Sequence, residues 1–136
     1  MKVYDAFSAE ARDIVWRNMN EGLFKYGIDA WWLDATEAEL IDPTPAQLDQ
    51  PTALGSFRKM RNAYPLVSVG GVYDHQRAVT DSKRVFIFTR SCYFGQQRYA
   101  ANVWSGDITA SWDVLRRQVP AGLNYSLCGM PHWNND

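Results

Sequence analysis

Ile28-Asp29-Ala30-Trp31-Trp32-Leu33-Asp34-Ala35-Thr36-Glu37 runs mostly apolar to Leu33, stops on a carboxylate, and offers a second carboxylate three residues later. A β-strand that ends on an acid is how a parallel (β/α) barrel presents chemistry, because its C-terminal strand ends carry the active site. Asn102-Val103-Trp104-Ser105-Gly106-Asp107 repeats the pattern, again with tryptophan ahead of an aspartate. Trp31 and Trp32 are adjacent, so on a strand they point to opposite faces. One is expected to pack against helices and the other to face a barrel interior.

Outward from that strand, Ser8 reads as the N-cap of an amphipathic helix with Ala11, Ile14, Val15, Met19, Leu23 and Phe24 on its apolar face, ended by Gly27. Residues 41–55 hold three prolines and read as an irregular loop. Residues 56–78 turn helical, with Pro65 and Gly70-Gly71 expected to break or kink the middle. Arg84–Arg90 is the cleanest buried strand, followed by a strand at 101–104. Asp107 or Ser111 is placed to cap a helix carrying Trp112, Leu115 and Val119, which Gly122 stops before a last strand at 124–129. Helices mostly alternate with strands and no hairpin is expected, which predicts a parallel sheet with crossover connections. Only four strands are visible, whereas a (β/α)8 barrel takes about 250 residues. The predicted fold class is therefore α/β, a partial (β/α)8 TIM barrel.

Composition narrows the function. The chain has 136 residues, a net charge of −1 and a pI near 6.1, so it shows no electrostatic footprint for nucleic acid or anionic membrane. Six Trp, seven Tyr and six Phe supply flat apolar faces, which serve as core material and also stack on sugar rings. Cys92 and Cys128 match no metal spacing and are expected to be buried. No apolar run approaches the ~20 residues of a membrane span, and the N-terminus lacks an export-signal core. Paired carboxylates at strand ends beside indoles point to glycosidic bond cleavage, in which retaining enzymes hold the two groups roughly 5–5.5 Å apart.

The strings GIDAWWLDATEAEL, RVFIFTRSCYFGQQRYAANVWSGD and PAGLNYSLCGMPHWNND together resemble glycoside hydrolase family 31, over essentially the whole chain. The resemblance implies a retaining α-glycosidase barrel, with the chain running from the helix before strand 4 to the end of strand 7. It implies Asp34 as nucleophile, Asp107 as general acid/base, and Trp32, Arg90, Trp104 and Asp136 as substrate-site residues. Glu37 and His132 are expected beside the site rather than in the chemistry, His132 on the pocket wall, and neither a metal nor an organic cofactor is implied. The double-Trp form resembles the α-xylosidase branch most, with α-glucosidase as the alternative and a truncated or carbohydrate-binding remnant as a second class. Ala38 stands where that branch suggests proline. The remaining strands and the flanking β-sandwich domains are expected to lie outside residues 1–136, so the isolated chain is expected to be inactive and prone to self-association through unpaired sheet edges. The implied partner is an oligosaccharide or glycoside, and the implied location of the parent is the periplasm or exterior of a bacterium. An arginine beside Asp34 and a dry, indole-lined setting for Asp107 are the expected means of keeping one carboxyl ionised and the other protonated.

Overall fold

The computed structural model describes residues 3–38 and 42–136; Ile41, at the start of the expected loop, lies outside them. Four strands, β1 (Trp31–Leu33), β4 (Ile87–Thr89), β5 (Ala101–Trp104) and β6 (Trp133–Asn134), pair in parallel in the order β1-β4-β5-β6. Trp32, Phe88 and Asn102 stand in register, as do Leu33, Thr89 and Val103. The strands are shorter than their apolar runs suggested.

Alternation on β1 does what adjacent indoles require. Trp31 is buried with Ile87, Ala101, Val85, Val69, Val72 and Trp16 in the main core, while Trp32 is 64% exposed. Two helices cover the Trp31 face. Helix α1 (Ala9–Gly22) starts at Ser8, whose side chain accepts from the Ala11 N–H at 3.3 Å. Its inward residue is Trp16, while Ile14 and Leu23 are exposed, so the stripe is rotated from the expected one. The cause is its partner α4 (Tyr64–Val79): Arg12 lies against Gly71, and His75 stacks on the Trp16 ring at 5.9 Å. Gly70 and Gly71 do not break α4. A Cβ at Gly70 would sit 2.8 Å from the Tyr99 ring and one at Gly71 2.6 Å from Arg12, so these glycines permit close packing. The expected break falls earlier, where α3 (Phe57–Met60) passes through a tight turn at Arg61–Ala63 into Pro65 at the start of α4.

The proline-rich segment is more ordered than expected. Thr44 and Gln47 form a reciprocal capping box on α2 (Pro45–Leu48). A short hairpin then joins β2 (Pro51–Thr52) to β3 (Gly55–Ser56), turning at Gly55 with φ +127°, where no hairpin was predicted. A second core of Ala6, Phe7, Ala38, Phe57 and Tyr64 fastens this excursion to the N-terminal segment.

The last helix also corrects the sequence reading. α5 (Trp112–Leu127), capped by Ser111, runs through Gly122 and continues to Leu127, so the strand expected at 124–129 is helical. Gly122 is where the Trp133 indole approaches: a Cβ there would meet the ring at 2.9 Å. Gly129, at φ +80°, redirects the chain into β6. The cysteines are not both buried: Cys128 is exposed and Cys92 partly so.

Candidate active site

All four strands of the main sheet run in one direction, so the residues following them gather at one edge. Asp34 follows β1 directly, Arg90 follows β4 directly, Asp107 comes three residues after β5 and Asp136 two after β6. Arg90 joins the first two strands electrostatically. Its Nε lies 3.1 Å from Asp34 Oδ1, and its Nε and Nη2 lie 2.9 and 2.7 Å from Glu37 Oε1. The expected arginine beside Asp34 is therefore present, with Glu37 as its closer partner. The guanidinium is 17% exposed, so these contacts are less screened than those of a surface pair.

The turn that carries the two acids is unusual in backbone. Ala35 and Ala38 adopt φ +54° and +57°, which L-residues other than glycine rarely take. Proline cannot adopt the conformation of Ala38, so alanine there fits this turn and proline would not. The Ala35 N–H donates to Asp34 Oδ1 at 2.8 Å, which holds the carboxylate against its own turn.

Beneath the charged residues lies a layer of hydroxyls that the sequence reading missed. Thr36 Oγ1 bonds Thr89 Oγ1 at 2.5 Å and also bonds Ser91 Oγ, and all three residues are buried. The available signal was positional: Thr36 lies between Asp34 and Glu37, and Thr89 and Ser91 flank Arg90. Ser91 O in turn accepts from the amide of the fully buried Gln96 at 2.8 Å.

On the face opposite the helices, Trp32 stacks on Trp104 with ring centres 5.5 Å apart and planes 17° apart, and Phe88 meets Trp104 at 4.8 Å. Trp104 is buried beneath the exposed Trp32, leaving one broad indole surface in contact with solvent. Such a surface is suited to the apolar C–H face of a pyranose ring.

An open cleft of about 850 Å³ lies above the strand ends, lined by Glu37, Arg61, Asn62, Arg90, Tyr93 and Asp107 among others. Asp107 is reached through Ser105, whose N–H donates to Asn134 O at 3.1 Å, and Gly106 at φ +80°. Contrary to the dry setting expected for it, Asp107 is exposed. Asp136 lines a second concavity of about 340 Å³ with Ile108, Trp112 and Leu115. His132 is exposed and absent from the lining of both concavities; it joins the sheet through its carbonyl, which accepts from the Val103 N–H at 3.1 Å. Partial burial, together with the neighbouring Cys92 and Cys128, pushes the Tyr125 phenol well above its ordinary range. Among the described residues, no cluster of three or more His, Cys, Asp or Glu side chains is arranged to hold a metal.

Comparison with known proteins places this arrangement. Residues 1–136 match the family described as the glycosyl hydrolases family 31 TIM-barrel domain. An α-xylosidase of Saccharolobus solfataricus is 42% identical over 137 residues, covering 98% of this chain and 18% of that enzyme. An α-glucosidase of the same organism is 29% identical over 154 residues, covering 95% of this chain and 22% of that enzyme. The crystal structure of a family 31 α-xylosidase from Xanthomonas citri superposes with a TM-score of 0.90 at 45% identity, covering 98% of this chain and 15% of that one. The chain thus spans about a fifth of the length of these relatives.

Proposed function

The chain belongs to glycoside hydrolase family 31, as part of its barrel domain, and from that premise we propose that it supplies the strand-end residues of a retaining α-glycosidase, with α-xylosides as the first choice of substrate. The observation that supports this best is the edge itself: Asp34, Arg90 and Asp107 follow three adjacent parallel strands, with Arg90 bonded to Asp34 and an open indole face alongside.

The roles follow from the chemistry. Asp34 is ion-paired, hence suited to attack the anomeric carbon as a carboxylate, forming a glycosyl ester while the leaving oxygen takes a proton from Asp107. Water then attacks the same carbon, Asp107 removes its proton, and Asp34 is released with net retention. Arg90 and Glu37 fix Asp34 in place, and Trp32 on Trp104 carries the sugar ring. The α-xyloside choice rests on the higher identity to an α-xylosidase, 42% against 29% for the α-glucosidase.

The test is hydrolysis and binding of 4-nitrophenyl α-xyloside and α-glucoside by the 136-residue chain, with Asp34→Ala, Asp107→Ala and Trp32→Ala as comparisons. The relatives are several times longer, so binding with little turnover is the expected result for this chain alone. Turnover abolished by either aspartate variant would extend the proposal to a self-sufficient site. Turnover that survives both variants, or binding indifferent to Trp32, would overturn it.

A further inference from the structure

We infer that the hollow between the N-terminal segment and the β2–β3 hairpin is a second binding site, one that takes a compact methylated ammonium ion. It lies apart from the sheet edge and does not depend on the glycosidase reading. Tyr4, Asp5, Phe7, Phe57 and Tyr64 line a space of about 40 Å³, with Gln50 at its rim. Around Tyr64 the other three rings stand at 65°, 77° and 81°, with centres 5.8, 6.1 and 6.1 Å away. The four rings therefore meet at steep angles, as walls rather than as a stack. Both tyrosine hydroxyls are committed to protein partners: Tyr64 donates to Tyr4 O at 3.1 Å, and Tyr4 bonds Ser68 Oγ at 2.8 Å. What these residues offer the hollow is ring surface, not hydroxyl.

Asp5 supplies the charge. Its Oδ1 accepts from the Phe7 N–H at 3.0 Å and its Oδ2 from the Ala53 N–H at 2.7 Å, which fixes the carboxylate between segment and hairpin. Each oxygen keeps a lone pair beyond these bonds. Asp5 has no cationic partner among the described residues, and no Lys, Arg or His among them lines the hollow. Arg12, on α1, donates instead to Ala6 O at 2.7 Å. Aromatic faces and a carboxylate both attract a cation, and rings attract it most when its charge is spread over methyl groups. Other ligand classes fit worse. An anion would meet a carboxylate and no counter-charge, and a neutral apolar group would strip water from Asp5 without replacing it. A metal ion would find a single carboxylate, since no cluster of three donors is present among the described residues. A sugar ring is too large, because 40 Å³ is room for roughly three waters. A nitrogen carrying three methyls is of that size, and the exposed Gln50 and Pro51 mark the mouth through which it enters.

The test uses the full chain and two-dimensional NMR. Tetramethylammonium chloride is titrated beside sodium chloride at equal ionic strength and beside tert-butanol, a neutral molecule of similar shape. Saturable shifts of the Phe7 and Ala53 N–H signals, the two donors to Asp5, are expected with tetramethylammonium alone. Gln50→Lys places an ammonium at the mouth without touching the core and is expected to weaken binding about tenfold, whereas Gln50→Met should leave it unchanged. Phe57→Leu keeps an apolar wall but removes one ring, and should weaken binding about threefold. An unmoved Trp31 indole N–H signal serves as the check that each variant is folded. Choline and trimethyl-lysine amide carry the same head on different tails, and the tighter of the two identifies a free small molecule or a modified chain as the source. Equal shifts with tert-butanol would show a packing gap that admits any small group, and equal shifts with sodium chloride would show general screening of Asp5. Either result, the lack of saturable shifts at both donors, or binding indifferent to Gln50→Lys overturns the assignment, and none of these touches the glycosidase reading.

Discussion

Trp31 and Trp32 are consecutive and chemically identical, yet β1 sends them to opposite faces, and mutation should separate them. Trp31 is buried, and its Nε1–H donates at 2.8 Å to the side-chain oxygen of Gln76, itself only 2% exposed. Trp31→Phe keeps an aromatic ring but leaves a buried amide oxygen unpaired, an error that costs about 1–3 kcal/mol. Urea denaturation should show this as a lower midpoint with an unchanged slope. Trp32→Phe should cost less than about 1 kcal/mol, because the ring it removes is mostly in water, but it should weaken sugar binding on the indole face. A Trp32 variant that is the less stable of the two would contradict the assignment of faces. This much was legible in sequence, since period-two alternation needs no knowledge of the partner strands. The Gln76 bond was not legible, because 45 residues separate the two groups and nothing local relates them.

Among the elements, the junction of β1 with β4 combines packing and chemistry. Thr36→Val is nearly isosteric but leaves the hydroxyls of Thr89, fully buried, and Ser91 without their shared partner. A loss of about 1–3 kcal/mol is expected, together with a moved Arg90 Nε–H signal in NMR, since the turn bearing Asp34 and Glu37 is fastened there. Thr36→Ser should restore both, and a Val variant with the Arg90 signal unmoved would show that the layer does not position the ion pairs. The N-terminal segment makes a different prediction. Burial is the main cause holding the Tyr64 phenol far above its ordinary value of 10.0, and the Tyr4 phenol, bonded to Ser68 at 2.8 Å, is raised as well. Both pKa values are higher folded than unfolded, so the stabilising effect is complete below about pH 10 and is lost as pH rises beyond it. Alkaline unfolding should therefore begin near pH 10 and be shallower in Tyr64→Phe; an identical pH profile in that variant would refute this cause. Elements were legible where one signal dominated, as at the Ser8 cap and the strand ends. They were misread where two signals competed. Gly122 reads as a helix stop, but it is a gap filled by Trp133, and the α1 stripe is set by Gly71 and His75 on a helix far away in sequence.

For the whole molecule, what is covered and what is open follow from the sheet. The outer strands β1 and β6 each pair on one side only among the described residues. The Trp32 face carries exposed indole, and α5 contains no buried residue. Trp112, Leu115, Val119, Leu123 and Leu127 are all exposed at spacings of three and four, which is the apolar stripe of a helix that packs on something. Fully burying one such side chain is worth roughly 1.5–3 kcal/mol. Five together are of the same order as the roughly 4–15 kcal/mol cost of bringing two molecules together. Association of the chain with itself is therefore expected to be real but concentration-dependent, not obligatory. Sedimentation velocity from low to high micromolar protein should show the weight-average mass rising, and the paired change Leu115→Lys with Leu123→Lys should move the rise to higher concentration. If the paired change has no effect while the mass still rises, association runs through the strand edges or the indole face instead. In that case Trp32→Lys should suppress the rise if the indole face is the contact. A mass that stays at the monomer value throughout would refute self-association by any of these surfaces.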